Sequence, residues 1–538
     1  MADGSVVARA PLRSAEVDAV VVGAGFGGLY MLYKLREQGF SVQGFEAGDD
    51  VGGTWYWNRY PGARCDIPSL FYSYKWSDEL QRDWKWTEKY AAQPEIHAYA
   101  RHVADRFDLR PMIAFETRVL SATFDETADR WSVVTDRGDE VSCRWLIMAT
   151  GCLSTPRAPA IPGVNSFAGT TYHTGAWPHE GVDFTGQRVG VIGTGSSGIQ
   201  SIPIIAEQAK RVTVFQRTAN FSVPARNGPL TERDLALFWK GYDDYMALVK
   251  GPGMGFGGNP ANAPPETPEA RQARYEELWA LGGAGFLAVW GNLLTSLEVN
   301  DEAATFVRAK IAEMVKDPAV AEILAPRDHP IGTKRICVDT GYYETFNRPN
   351  VELVNLRATP IEEITPAGVR TSIAAYPFDA LVFATGFDAM TGALRAIDIR
   401  GVGGVELRDA WAAGPRAYLG LAIAGFPNMF VITGPGSPSV LSNMINSIEQ
   451  HVEWIIRCLG EMRETGRSRI EADEAAQDAW VAHVAAVADK TLFPRAASWY
   501  MGANIPGKPR VFMPYIGAGY RRKCDEVAAA GYEGFVVA

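Results

Sequence analysis

The sequence predicts an α/β fold made of two Rossmann-like dinucleotide-binding domains with an inserted helical subdomain. Three observations carry this reading. Two glycine turns, at 23–28 and 193–198, each follow a short β-branched run and open onto apolar residues at helical spacing. Two strand-like runs end alike, at Ala149-Thr150-Gly151 and Ala384-Thr385-Gly386, one before and one after the second turn. Between about 230 and 320 the chain changes to charge-patterned, helix-forming sequence.

Length and composition fit two or three domains: 538 residues, 47% apolar and 21% charged, as in an ordinary globular protein. A formal charge of −10 argues against a nucleic-acid or anionic-membrane surface, which needs clustered Lys and Arg. A soluble protein acting on small molecules is expected. No apolar run reaches the roughly 18–20 residues of a membrane span, and the nearest, 282–294, is interrupted by Gly and Asn. Residues 1–16 lack a secretory hydrophobic core and read as a flexible tail. Cys65, Cys143, Cys152, Cys337, Cys458 and Cys524 form no C-x-x-C pair and no metal-ligand spacing, so no metal is expected and a reduced cytoplasmic compartment fits best.

Taken in order, the run 17–22 enters Gly23-Ala24-Gly25-Phe26-Gly27-Gly28, after which Leu29, Leu32 and Leu35 recur at helical spacing. Glycine there allows a tight turn and the approach of a pyrophosphate to the helix N-terminus, where free N–H groups and the helix dipole favour anions. A strand at 41–45 then delivers Glu46, whose carboxylate can accept from ribose hydroxyls. The loop 52–66 is dense in aromatics, Gly and Pro. Core packing would account for its rings, but its glycines suit backbone approach to a flavin or pyrophosphate, and Asp66 at its end could orient a cation. A helix is expected over 87–108, short strands over 113–134 with a break at 125–129, and a buried parallel strand at 145–151.

The second turn, Gly193-Thr194-Gly195-Ser196-Ser197-Gly198, repeats the first, with a helix through 208 and a strand at 212–215. That strand ends in Gln216-Arg217-Thr218, and a cation in place of an acid suits the 2′-phosphate of NADP. The first unit is therefore expected to hold FAD and the second NADPH. A helical insertion is expected over 225–331, with a mobile Gly/Pro/Asn-rich loop at 251–268. Strand signals return at 351–356, 369–373 and 379–386, and a helix is expected at 441–464. The domains read as FAD-binding, 17–151 and 389–538, and NADP-binding, 152–224 and 332–388.

Between the two units lies Phe167-Ala168-Gly169-Thr170-Thr171-Tyr172-His173-Thr174-Gly175-Ala176-Trp177-Pro178. It matches the F-x-G-x-x-x-H-x-x-x-W-P pattern of type I Baeyer–Villiger monooxygenases, and 52–66 matches the upstream signature of the same family. Both signatures are complete and in order around two G-x-G-x-x-G turns, and the chain is identified as a member of that family over nearly all its length beyond the tail. Segments 332–335, 339–350, 434–443 and 499–514 are most similar to the phenylacetone and steroid monooxygenase branch. The segment 434–443 looks longer than its counterpart in cyclohexanone monooxygenases, which points to a different pocket.

The resemblance implies that NADPH reduces FAD, that the reduced flavin traps O₂ as a C4a-peroxide, and that this attacks a ketone to give an ester or lactone. Bulky aryl, cyclic or steroidal ketones are favoured, with sulfoxidation as a side activity, by a monomer or weak homo-oligomer. The developing negative charge needs a fixed positive donor, whose loss typically costs ~10²-fold or more in rate. Arg335 matches the family's active-site arginine and Asp66 the acid that holds it; a surface salt bridge and a turn aspartate are the plainer alternatives.

The cofactor contacts implied are Gly23, Gly25, Phe26, Gly28, Glu46, Gly53, Thr54, Trp55, Asp66 and Tyr72 in the first unit. In the second they are Gly193, Thr194, Gly195, Ser196, Ser197, Gly198, Arg217, Thr218, Lys334 and, from near the chain's end, Trp499. By the same resemblance, Arg217 and Lys334 are expected to share the 2′-phosphate, assisted by Thr218, and the Trp499 indole N–H to donate to the nucleotide. Phe167, Gly169, His173 and Trp177 form the linker signature. His173 is assigned to ordering that linker, not to general-base catalysis, because the chemistry needs no proton abstraction at the ketone. Val440, Leu441 and Met444 are expected to shape the substrate pocket.

A heteroatom-oxidising flavin-containing monooxygenase shares both turns, but its linker usually ends in an aromatic-lysine or aromatic-phenylalanine pair where this chain has Trp177-Pro178. A disulfide reductase needs a close cysteine pair that is missing here. A redox sensor that has lost oxygenation is disfavoured because Arg335, Asp66 and both signatures are intact.

Overall fold

The computed structural model describes residues 15–157, 159–251, 263–265 and 267–538. The expected tail lies outside these residues apart from its last two. Ala15 and Glu16 already belong to the first strand, Ala15–Val22, because they pair with Val141 and Ser142. Most of the loop expected at 251–268 also lies outside the described residues.

Ala15–Val22 is the spine of the first sheet. It runs parallel to Val42–Phe45 on one side and to Glu140–Met148 on the other. Ala19, Val20 and Val21 are fully buried, as a β-branched run covered on both faces should be. The sheet order is Asp398–Arg400, Val119–Asp125, Arg130–Thr135, Glu140–Met148, Ala15–Val22, Val42–Phe45, Ile113–Ala114, with Met429–Val431 also paired to Glu140–Met148. The chain thus leaves this sheet after Met148 and re-enters it at Asp398.

In between it builds a five-stranded, all-parallel second sheet: Val351–Asn355, Arg211–Gln216, Arg188–Ile192, Ala380–Phe383 and Thr170–His173. The linker signature supplies its edge strand. The helices Pro268–Leu281 and Leu297–Met314 do not form a separate core. Their Tyr275, Trp279 and Phe306 belong to the same buried cluster as Val189 and Val212 of the second sheet.

Three local expectations shift. The helix expected from 87 starts at Gln93, with Pro94 in its first turn, because 87–92 is drawn out alongside 228–230 through Lys89 N–H to Gly228 O and Leu230 N–H to Thr87 O. The helix expected from 441 is Met444–Glu464, started by the Asn443 side chain accepting from Ile445 N–H. The strand expected at 369–373 ends at Thr371, where it turns within a small antiparallel sheet of Ile361–Thr365, Gly368–Thr371 and Ala375–Pro377.

Candidate active site

A cavity of about 1180 Å³ lies between the two sheets and takes its walls from both. At the first glycine turn the backbone conformation is one only glycine adopts freely: Gly23 has φ +104°, and a Cβ there would lie 2.5 Å from Ala149 O. Gly28 does not face the cavity. A Cβ on it would lie 1.8 Å from Gly23 O, so its task is to let the helix Phe26–Glu37 close onto the turn. That helix has no side-chain cap and no acid in its first turn, which leaves its N-terminal N–H groups for an anion.

The second turn repeats this. Gly193 has φ +113°, a Cβ on Gly198 would lie 2.3 Å from Gly193 O, and the helix Ser196–Gln208 again lacks a side-chain cap. Gly25, Phe26, Thr194, Gly195, Ser196 and Ser197 all line the cavity. Two open glycine cradles facing one cavity fit two dinucleotides.

Glu46 lies at the cavity wall and is buried. Burial pushes its carboxyl up and hydrogen bonds from Ala24 N–H (2.8 Å) and Gly48 N–H (2.9 Å) pull it back, so the side chain also braces the turn. Gly53 is pressed backbone to backbone on Gly25, since a Cβ on it would lie 2.8 Å from Gly25 Cα. Thr54, Trp55 and Tyr72 follow on the wall, and the Trp55 indole donates to the Tyr72 hydroxyl at 3.1 Å.

Arg335 and Asp66 meet across the cavity. Arg335 Nε donates to Asp66 Oδ2 at 2.9 Å, Nη2 donates to Oδ1 at 2.7 Å, and Nη1 donates to the Val440 carbonyl at 2.8 Å. Burial would lower the guanidinium's pKa, but the Asp66 charge and hydrogen bonds outweigh it, so Arg335 is a permanent cation. Both side chains keep 23% of their surface open, towards the cavity. Beside them the buried Tyr500 hydroxyl is pushed up to about 12, against the pull of Arg335, and stays neutral.

Arg217, Thr218, Lys334 and Trp499 also line the wall. Burial lowers Lys334, and the nearby Arg217 lowers it further. Of the pocket residues, Val440 and Met444 reach the cavity and Leu441 does not. Val440 and Leu441 share the 3₁₀ turn Ser439–Leu441, where successive side chains diverge by about a third of a turn, so Leu441 packs instead against the core of the first unit.

The linker holds its residues by packing. A Cβ on Gly169 would strike Asp379 O at 2.5 Å and one on Gly175 would strike the Phe387 ring at 2.6 Å. Phe167 packs against the Ile364 and Phe378 cluster, and Trp177 is buried against Tyr172 and Phe184. His173 Nδ1 accepts from Gly175 N–H at 3.0 Å, and Nε2 lies 3.1 Å from both Arg157 O and Thr385 Oγ1. This pattern needs a neutral ring with the proton on Nε2, and burial lowers the imidazole's pKa in the same sense.

Sequence reasoning missed the join between the two units. The Tyr60 hydroxyl donates to Gln200 Oε1 at 2.8 Å, Gln200 Nε2 donates to Arg64 O at 3.0 Å, and a Cβ on Gly62 would lie 2.3 Å from Gln200 O. The signature loop of the first unit is therefore riveted to the second cradle's helix. Glycine at 62 was the available signal; nothing marks a glutamine inside a helix.

Among the described residues no helix is long and apolar enough to cross a membrane, and no His, Cys, Asp and Glu group is arranged to hold a metal. All six cysteines are buried and free.

The family model described as FMO-like, flavin-binding monooxygenase-like, matches residues 17–227. A Baeyer-Villiger monooxygenase of Pseudooceanicola batsensis is 45% identical over 531 residues, 97% of this chain and 96% of the relative. A crystal structure of an oxidized steroid monooxygenase bound to NADP is 52% identical with a TM-score of 0.92, over 97% of this chain and 99% of that one. A complex of OTEMO with FAD and NADP is 42% identical with a TM-score of 0.93, over 97% and 99% of the two chains.

Proposed function

As a chain that belongs to the Baeyer–Villiger monooxygenase family and works as a monooxygenase with FAD and NADPH, it acts on ketones, and we propose that these are bulky cyclic, aryl or steroidal ketones, oxygenated at a site built on Arg335 and Asp66. O₂ is the co-substrate, one atom of which enters the product ester or lactone. When bound, the flavin reduced by NADPH supplies the activated oxygen.

The chain's own residues supply binding, orientation and charge. The first cradle and Glu46, with Gly53, Thr54, Trp55 and Tyr72 on the same wall, would hold FAD. The second cradle, Arg217, Thr218, Lys334 and Trp499 would hold NADP. Arg335 spends three of its five N–H groups on Asp66 and Val440, and the rest of its guanidinium, beside the Tyr500 hydroxyl, is what can meet the reacting oxygens. A donor already fixed in place needs no reorganisation when negative charge develops, and the surrounding apolar wall strengthens its effect. Val440 connects charge to pocket: its carbonyl anchors Arg335, and the residue lines the same cavity as Met444.

The bidentate Arg335–Asp66 pair at the junction of two nucleotide cradles is the observation that carries this reading. The domain division is 17–151 with 389–538 for FAD, 152–224 with 332–388 for NADP, and 225–331 for the helical insertion. A cytoplasmic location is supported by six buried cysteines that form no disulfide, and the enzyme is taken as a monomer or weak homo-oligomer. The test is NADPH oxidation with cyclic, aryl and steroidal ketones and one thioether, with products identified by mass. Ketone-stimulated consumption giving ester is expected. Oxidation of the thioether alone would transfer the chain to heteroatom chemistry, and ketone-indifferent peroxide release would leave an oxidase or sensor.

A further inference from the structure

We propose that Arg157 is a third phosphate-binding cation of the NADP site, which with Arg217 and Lys334 distinguishes a 2′-phosphate from a free hydroxyl. The proposal rests on the NADP reading above. Acidic residues outnumber Lys and Arg in this chain by 62 to 52, so a cation with no carboxylate partner needs a reason. Arg157, Arg217 and Lys334 line the same cavity, and among the described residues none of the three has an ion pair or a side-chain hydrogen bond.

Two of them feel the third. Burial lowers both Arg157 and Lys334, and the charge of Arg217 lowers each of them further. The carboxylate that acts on Lys334, Asp328, is already engaged by His329 Nδ1 at 2.6 Å and by Arg357. Gathering unneutralised positive charge at a cavity wall costs stability unless an anion completes it. A phosphate dianion has the charge and the acceptor oxygens to do so.

The backbone at Arg157 is built for such a task. Its N–H donates to Gly386 O at 2.8 Å, and its carbonyl accepts from Thr385 Oγ1 at 2.8 Å and from His173 Nε2 at 3.1 Å. The root of the side chain is held from three directions while its head has no protein partner. His173 is then a positioning residue that acts through Arg157, which gives the signature histidine a physical task without any proton transfer.

The test is calorimetric titration of the FAD-loaded enzyme with adenosine 2′,5′-bisphosphate and with 5′-AMP, which differ only in the 2′-phosphate. In Arg157→Ala and Arg157→Gln the Kd of the bisphosphate should rise about tenfold while that of 5′-AMP changes less than about twofold, and Arg157→Lys should recover part of the loss. FAD content and Tm show that each variant is folded; should the alanine variant lose FAD, the Gln and Lys variants decide. Equal weakening of both nucleotides would make Arg157 a scaffold residue, and no change in either would remove it from the site. Both results overturn the proposal. If the unaltered enzyme shows no preference for the bisphosphate, or Arg217→Ala leaves that preference intact, the NADP reading is what fails.

Discussion

Asp66 and Arg335, 269 residues apart in the chain, face each other through two parallel hydrogen bonds of 2.9 and 2.7 Å. The geometry serves charge and orientation together, because a planar guanidinium gripped along one edge presents its remaining N–H groups in a fixed direction. Arg335→Ala should therefore keep its FAD and its reduction by NADPH, yet form ester about 10²-fold or more slowly. Asp66→Ala should also lose oxygenation, and in addition lose roughly 1–3 kcal/mol of stability, since it leaves a largely buried cation unpaired, tempered by water in the cavity. Stopped-flow reduction, product yield and Tm separate the two; an Arg335→Ala enzyme that still made ester at near-native rate would take Arg335 out of its role.

His173 touches neither the pair nor the cavity itself and stands behind wall residues that it holds. It binds the linker's Gly175 N–H and the Arg157 carbonyl, at the edge strand of the second sheet. His173→Ala should slow flavin reduction severalfold and raise the KM for NADPH, with the KM for ketone little altered. Normal reduction traces for this variant would contradict the assignment.

The glycine turns, Glu46 and Arg217 are legible in the chain because each acts within about thirty residues of local geometry: strand, turn, helix, and the end of the next strand. The pairing of Asp66 with Arg335 has no such local expression, and it is reached through the family resemblance, not through spacing. Tyr60 and Gln200, 140 residues apart, carry no signal until the two units are assembled. Leu441 illustrates a finer limit. Sequence identifies an apolar stretch near the pocket, but which of two neighbours turns inward depends on a 3₁₀ turn that composition does not specify. The insertion reads correctly as helical, whereas its merging with the core of the second sheet depends on long-range packing.

The Tyr60–Gln200–Arg64 rivet ties the loop that ends in Asp66 to the helix of the second cradle. Gln200→Ala removes two hydrogen bonds, each worth about 1 kcal/mol, without opening a large void. Both cofactors should still bind, while the distance between them becomes less well defined. Severalfold slower hydride transfer and a larger share of NADPH consumed without ester are expected, read by flavin absorbance and by peroxide release. Unchanged coupling in a folded, fully loaded variant would show that the units keep their spacing without Gln200.

Acid stability depends on a buried histidine behind a strained residue of the cavity wall. Thr433 has φ +57°, unusual for a residue with a branched side chain, and its N–H donates to Nδ1 of the fully buried His451 at 2.9 Å. On the other side of the ring Nε2 meets the Tyr520 hydroxyl at 2.8 Å. Burial, helped by Arg521, lowers the imidazole from its usual range to about 3. The unfolded chain therefore takes up a proton near pH 6.5 that the folded chain refuses until about pH 3. The sign follows: this contribution is fully present above about pH 6.5 and declines as pH falls towards 3, by up to about 1.4 kcal/mol per pH unit. His451→Gln can still accept from Thr433 and donate to Tyr520 but cannot take up the proton. Urea midpoints of the two FAD-loaded proteins between pH 7 and 4.5 should converge as the pH drops, the native enzyme losing stability faster; parallel curves would mean that His451 does not set the acid limb.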